Sequence, residues 1–444
     1  MAISRLRLLL LFLVRAFASL PAQAAARGGS SGTGENYGSF LRTLLEDIPR
    51  VTDDLTHGYM SNSELEIAVH DFGSRCSNIS RIYSIGKSVN GFALLVIEIS
   101  DKPGQKEAEP AFKFIGNVHG DEPVGREVLV KLANWLCDNY LKDPLATLIV
   151  ENMHLHILPT MNPDGFTLRR RGNANNVDLN RDFPDQFFPI NDEINYRQPE
   201  TRAIMNWIKQ EHFTASASLH GGALVANYPW DGSRDQRYPI YGGMQDWNYI
   251  HGGCFELTLE ISDVKWPKAA ELPVIWEHNR MSMLNLAASL VKTGVHGKIF
   301  AADTGHPIPG SLIIKGIDSE IRASRMYGDY HRILAPGENY EVMASMEGFR
   351  TKSTHILLEE EAVSLDFILD PDRANGQVKM SRNDCGCLCD DDKLFHVQGA
   401  HLELYLLVLL IVIALIVTVA GEGFSTAAAE ASRRSSLHFL FGFT

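Results

Sequence analysis

The chain has 444 residues, 45% of them hydrophobic and 21% charged, which is ordinary globular material with length for a substantial core and more than one domain. A formal net charge of -13 argues against nucleic acid as the main partner. It says little about substrate, because a local pocket matters more than the total.

At the N-terminus, Arg5 and Arg7 precede the apolar run Leu8 to Val14, and small residues follow at Ala22, Ala24, Ala25 and Ala26. Residues 1–25 are therefore expected to be a secretory signal peptide, although Arg15 interrupts the pattern. Residues 26–35 look like a flexible lead-in. The pattern then predicts a helix over Ser39–Ile48 and strands over Arg81–Ile85 and Ala93–Ile99. The central stretch of this half is AFKFIGNVHGDEPVGRE, 111–127. Its apolar start is strand-like and stops at His119-Gly120-Asp121-Glu122. Pro123 then opens a run with apolar residues at helical spacing. A strand over 154–158, a helix over 199–211, strands over 216–219 and 255–261 and a helix over 273–291 complete this part. Strands separated by helices imply an α/β fold with a mixed, mostly parallel sheet flanked by helices. From Gly294 to about Asp370 short β-type runs alternate with turn signals, which predicts a small all-β sandwich.

Residues 372–401 read as a polar, cysteine-containing stalk. The uncharged run Leu404–Ala420 approaches the length of a spanning helix, so 402–421 is expected to cross a membrane once. Arg433 and Arg434 would then place 422–444 in the cytosol. A type I, single-pass protein of the secretory pathway or cell surface is the expectation, with its bulk luminal or extracellular. The six cysteines are Cys76, Cys137, Cys254, Cys385, Cys387 and Cys389. An even number permits disulfides, but pairings cannot be deduced. The Cys385–Cys389 cluster fits a membrane-proximal disulfide segment better than a metal clip completed by His396 or His401. Asn78-Ile-Ser80 is a glycan acceptor triplet.

His119 and Glu122, three residues apart at the carboxyl end of a strand, form a zinc-type ligand pair where open α/β sheets place ligands. His220 also ends a strand and is followed by two glycines, which makes it the better third ligand. Two His and one Glu leave a zinc position open for water. A hydrolytic zinc needs a general base, and Glu260 closes an apolar strand. Glu256 and Glu260 share one face of that strand, because side chains alternate. Asn180-Arg181 suits a carboxylate, bound by the Arg fork and a neighbouring amide. Taken singly, each of these side chains is more often structural or solvated than catalytic.

His-x-x-Glu at 119–122, MNPDGF at 161–166, NANNVDLNRDFPDQF at 173–187, LHGGALVANYPWD at 219–231, YPIYGGMQDWNYI at 238–250 and CFELTLE at 254–260 together resemble the zinc metallocarboxypeptidases. The resemblance is to their carboxypeptidase N/E subfamily, including carboxypeptidase D and plant relatives. It implies a catalytic domain over 37–293 and a transthyretin-like sandwich over 294–371. It implies one zinc per chain on His119, Glu122 and His220, a ligand set for which carboxypeptidase A is the general example. Glu260 matches the general base, Arg171 the cation that steadies the reacting carbonyl oxygen, and Tyr238 a mobile tyrosine over the substrate. Asn180 and Arg181 match the clamp on the substrate's terminal carboxylate. Asp231 and Gln245 match walls of the side-chain pocket, where an acidic group would favour a C-terminal Arg or Lys. The implied partners are peptide or protein C-termini, and the implied state is a monomer.

One departure stands out. The family carries a long segment between the motifs ending at Asp231 and beginning at Tyr238, where this chain has six residues, 232–237. A short loop cannot span what a longer excursion spanned. An inactive zinc- or peptide-binding pseudoenzyme is therefore the alternative reading. A zinc deacylase or amidohydrolase is a third, against which the Asn180-Arg181 pair argues.

Overall fold

A computed structural model of the chain describes residues 58–185, 194–231, 240–317 and 319–372. The expected signal peptide, the helix over 39–48, the stalk, the membrane span, the cytosolic tail and Tyr238 lie outside the described residues. Among the described residues no helix is long and apolar enough to cross a membrane.

The described chain opens with helix α1 (Asn62–Arg75). Ser61 caps it by accepting the Glu64 N–H at 3.2 Å, while the Glu64 carboxylate accepts the Ser61 N–H at 2.7 Å. This reciprocal pair, S-x-x-E at 61–64, satisfies two orphan donors of the first turn. Strands β1 (Ser80–Lys87) and β2 (Ala93–Ile99) form an antiparallel hairpin close to the predicted limits. Then come β3 (Ala111–Gly116), helices α2 (Val124–Asn139) and α3 (Pro144–Asn152), β4 (His154–Leu158) and α4 (Pro163–Leu168). Helix α5 (Pro199–Glu211) starts on its proline as expected. Strands β5 (Ala215–His220) and β6 (Ala223–Asn227), helix α6 (Met244–Gly252), β7 (Phe255–Ser262) and α7 (Leu272–Lys292) complete this half.

Seven strands make one sheet in the order β1-β2-β4-β3-β5-β7-β6. The four in the middle are mutually parallel; β1, β2 and β6 join antiparallel. Every residue of β3, β4 and β5 is buried, as expected where helices cover both faces. From β3 the chain crosses to β4 on one side, then returns to β5 on the other. The crevice at the carboxyl ends of β3 and β5 is thus a topological switch point. Cys76 at the end of α1 and Cys137 in α2 form a disulfide, while Cys254 is a buried free thiol.

Strand β8 (Val295–Ala301) begins directly after α7. It pairs with β11 (Asp329–Arg332), β14 (Val363–Ser364) and β15 (Phe367–Leu369). A second sheet runs β10 (Ile321–Arg322), β9 (Ser311–Ile314), β12 (Glu338–Ser345), β13 (Lys352–Leu358). Val295 and Ile299 of the first sheet and Leu312, Val342 and Leu358 of the second belong to one apolar cluster, so the two sheets pack face to face.

Candidate active site

The site begins where β3 ends. Gly120 turns the chain so tightly that a Cβ there would lie 2.0 Å from the Gly165 carbonyl carbon. Gly165 belongs to the MNPDGF motif, which holds this turn in place. The Asn162 amide donates to the Val118 carbonyl at 3.3 Å and the Arg171 carbonyl at 3.2 Å, and its oxygen accepts the Gly165 N–H at 2.8 Å. The Gly120 N–H donates to the Arg171 carbonyl at 3.1 Å. The motif therefore fixes the His119 turn and Arg171 to one another.

His119, Glu122 and His220 converge. Glu122 Oε2 lies 2.8 Å from His119 Nδ1 and 3.0 Å from His220 Nδ1, and the two Nδ1 atoms are 3.1 Å apart. All three side chains are buried. Three ligand atoms on a tetrahedral zinc with bonds of about 2.0–2.1 Å stand roughly 3.3 Å apart, so this triangle has the right size. The donor set agrees. If both imidazoles donate to Glu122, two N–H groups face each other across 3.1 Å. Lone pairs from both rings and the carboxylate directed at one cation remove that conflict. The residues fit zinc.

Glu122 divides its carboxylate. Oε2 faces the two imidazoles, and Oε1 accepts Arg171 Nη1 at 3.2 Å and Lys265 Nζ at 2.8 Å. Burial pushes this carboxyl up, but the hydrogen bonds and charges of His119 and His220 outweigh it and hold the group far below the usual range. Burial also lowers His119, but its bonds to Asp178 and Glu122 prevail and raise it. Burial and the neighbouring His119 lower His220.

Asp178, which carries no role in the sequence pattern, is the hub of the site. Its Oδ1 faces His119 Nε2 at 3.1 Å and accepts the Asn180 N–H at 2.9 Å; its Oδ2 accepts Arg171 Nε at 2.7 Å. One carboxylate thus orients a metal-type imidazole, the Arg171 guanidinium and the turn carrying Asn180-Arg181. Such outer partners fix the tautomer and direction of a ligating histidine. The Asn180 oxygen accepts the Met244 N–H at 2.9 Å, which ties the turn to the start of α6. Arg181 Nη1 donates to the Asn180 carbonyl at 2.7 Å.

His220 and Glu260 are register partners on adjacent parallel strands. Glu260 Oε2 is buried and has no hydrogen-bond partner. Burial and the Glu122 charge push its carboxyl up to about 7. On the far side, the Asp231 N–H donates to Asp246 Oδ1 at 3.0 Å. Burial and the Asp246 charge push the Asp231 carboxyl up to about 6, against the pull of Arg181. The Gln245 oxygen accepts Thr258 Oγ1 at 2.6 Å, and its Nε2 is buried without a partner.

The structure thus brings His119, Glu122, His220, Glu260 and Arg171 together. It joins Asn180, Arg181, Asp231 and Gln245 to them through Asp178 and α6. Asp178 and Lys265 are additions. Asp178 stands inside the 173–187 motif, two residues before the clamp, whereas no spacing marks Lys265, 143 residues from Glu122.

The sequence profile described as zinc carboxypeptidase matches residues 65–239 and 232–282, two stretches that overlap just after Asp231. Carboxypeptidase SOL1 of Arabidopsis thaliana is 57% identical over 413 positions, covering 82% of this chain and 84% of its own length. That share of the 444 residues is about 364, so about 49 aligned positions face a gap in this chain. Human Carboxypeptidase D is 37% identical over 368 positions, covering 69% of this chain, which spans about a quarter (26%) of that protein. The crystal structure of thrombin activatable fibrinolysis inhibitor is similar with a TM-score of 0.47 and 18% identity, over 56% of this chain and 80% of that one. The chain belongs to the zinc carboxypeptidase family, with a metallocarboxypeptidase-like α/β fold.

Proposed function

We propose that this zinc carboxypeptidase is membrane-anchored, faces the lumen or the outside of the cell, and releases C-terminal Arg or Lys from peptides and proteins. The observation that carries the chemistry is the buried His119–Glu122–His220 triangle beside the unpaired oxygen of Glu260. Zinc, when bound there, supplies a Lewis acid for the scissile carbonyl and makes water easier to deprotonate. Glu260 takes the proton from the attacking water and returns it to the leaving amine. Arg171, held by Asp178 and Glu122, supplies positive charge where the carbonyl oxygen becomes negative. Arg181 and the Asn180 amide hold the substrate's terminal carboxylate, a group only a chain end offers. Asp231 presents the acid that selects a basic side chain, and Gln245 lines the same wall. Tyr238 covers the bound end.

Residues 1–25 and 402–421, together with the Cys76–Cys137 disulfide, support an oxidising, membrane-bound location. The exposed Asn78 supports glycosylation there. The face-to-face sheets over 294–371 support a transthyretin-like module.

Purified protein is to be assayed, with chelator controls, on peptides ending in Arg, Lys, Leu and Phe. Turnover of basic ends is expected, and Asp231→Ala should cut it roughly 10- to 100-fold while sparing apolar ends. Equal loss on both removes Asp231 from selectivity. A second reading has its own support: the family profile matches in two stretches, and about 49 positions of the plant relative face a gap. Zinc and peptide binding with no turnover on any of the four peptides establishes that pseudoenzyme instead.

A further inference from the structure

The parallel strands have a second chemically loaded end. Glu107 and Glu109 lie in the loop from β2 to β3, and His154 opens β4. One ligand atom of each lies within 4.8 Å of the other two. His154 is only 8% exposed. Its Nδ1 faces Glu98 Oε1 at 3.5 Å, which leaves Nε2 for the cluster. That Nε2 is buried without a hydrogen-bond partner, and so are Glu107 Oε2 and Glu109 Oε2. Lys102 Nζ meets Glu107 at its other oxygen, at 2.5 Å.

Buried polar atoms are nearly always satisfied, and an orphan asks for an explanation such as an ion. Here three orphans belong to one cluster of ligand-bearing side chains. Two are carboxylate oxygens that only accept, and Glu107 and Glu109 repel each other. A proton relieves one of them; a cation satisfies all three. We propose that Glu107, Glu109 and His154 bind a second divalent cation of the zinc class. An imidazole with two carboxylates suits zinc, manganese or cobalt and does not suit calcium, which takes oxygen ligands. β3 runs from this cluster towards the His119 turn, so the two sites stand about 20 Å apart, at six residues and roughly 3.3 Å each.

The second cation is structural. The His154 N–H donates to the Pro110 carbonyl at 3.0 Å, joining the loop to β4 where β3 begins. The same loop accepts Tyr327 Oη on the Lys106 carbonyl at 2.7 Å, a contact from the β-rich region. A cation between Glu107, Glu109 and His154 fixes the loop that carries this contact.

The test is a count of bound zinc. Full-length protein is stripped with chelator, dialysed against Zn2+, and compared with Glu109→Gln/His154→Gln. The double variant should hold one zinc fewer per chain, and its unfolding midpoint should lose part of its dependence on Zn2+. In a His220→Ala background the same pair of substitutions should still remove one zinc, so the result does not depend on the active-site reading. If the double variant fails to fold, Glu107→Gln alone should weaken that zinc at least tenfold. Equal counts in wild type and every folded variant overturn the proposal, leaving the cluster with a proton or water. Binding of Ca2+ with no Zn2+ at these residues overturns it as well.

Discussion

Strand β7 carries two carboxylates on one face, Glu256 and Glu260, and the fold treats them oppositely. Glu256 is fully buried in the middle of the sheet. Its register neighbours across two strands are Ser216 and then Lys113. Lys113 Nζ reaches Glu256 Oε2 at 2.9 Å, and Ser216 Oγ and Asn248 Nδ2 donate to the same oxygen. Each carboxylate keeps one buried oxygen without a partner, but four residues on, Glu260 has His220 as its register neighbour and, among the described residues, no ion pair like that of Glu256. Burial calls for a counter-charge in both places. For Glu256 the sheet provides one; Glu260, the proposed base, is left without one and its pKa rises. The pairing state of a strand carboxylate, more than its burial, is what sets the two apart here.

The largest effect that tests this contrast is on turnover. Glu260→Gln should lower kcat by roughly 10²- to 10⁴-fold, the usual contribution of a positioned general base. Bound zinc and the unfolding midpoint should stay near wild type, because Glu260 supplies none of the three ligand atoms. A variant that keeps wild-type turnover would leave the proton with another group.

How much of this arrangement sequence can disclose depends on distance along the chain. The limits of β1, β2 and α5 come from local alternation and from Pro199, and the structure departs from them by two residues or fewer. The candidate ligands His119 and His220 announce themselves because each ends a strand-like run, His220 before two glycines. The role of Asp178 does not, since it comes from contacts 59 residues back to His119 and 7 back to Arg171. The Lys113–Glu256 pair is equally hidden: a lysine inside AFKFIG reads as the solvent side of a strand until both neighbouring strands are known. Helix α1 is legible too: Ser61 and Glu64 make a capping box, and the buried Leu65, Val69 and Phe72 stand at i, i+4 and i+7. Asn162 illustrates the reverse case. MNPDGF is visible as a motif, yet the Asn162 amide works by hydrogen-bonding the backbone at Val118, Gly165 and Arg171, partners that residue types do not encode.

The next effect in size is on stability, and it falls on the other carboxylate. Glu256→Gln leaves Lys113 charged and buried with no counter-ion, which costs about 3–5 kcal/mol when a buried pair loses one partner. Urea unfolding should register that loss. Adding Lys113→Met should restore much of it, since replacing both partners removes the uncompensated charge. If the double variant is no more stable than Glu256→Gln, the pair does not act as a unit. Either way kcat should change far less than with Glu260→Gln in whatever fraction folds.

The smallest effect concerns the sign of a pH dependence in metal-free protein. In the folded chain burial and Glu122 raise the Glu260 carboxyl from 4.5 to about 7. A group whose pKa is raised on folding stabilises the fold most when protonated in both states, below about pH 4.5. That contribution disappears as pH rises through about 7. Linkage caps it at about 3 kcal/mol, and partial exposure of Glu260 to solvent reduces it to roughly 1–2 kcal/mol. With chelator present, the unfolding free energy of wild type minus that of Glu260→Gln should therefore fall between pH 5 and 8. Loading zinc should flatten the difference, because a cation beside Glu260 favours its ionised form. A difference that rises with pH in metal-free protein would mean that Glu260 gains a cationic partner on folding, and its contrast with Glu256 would vanish.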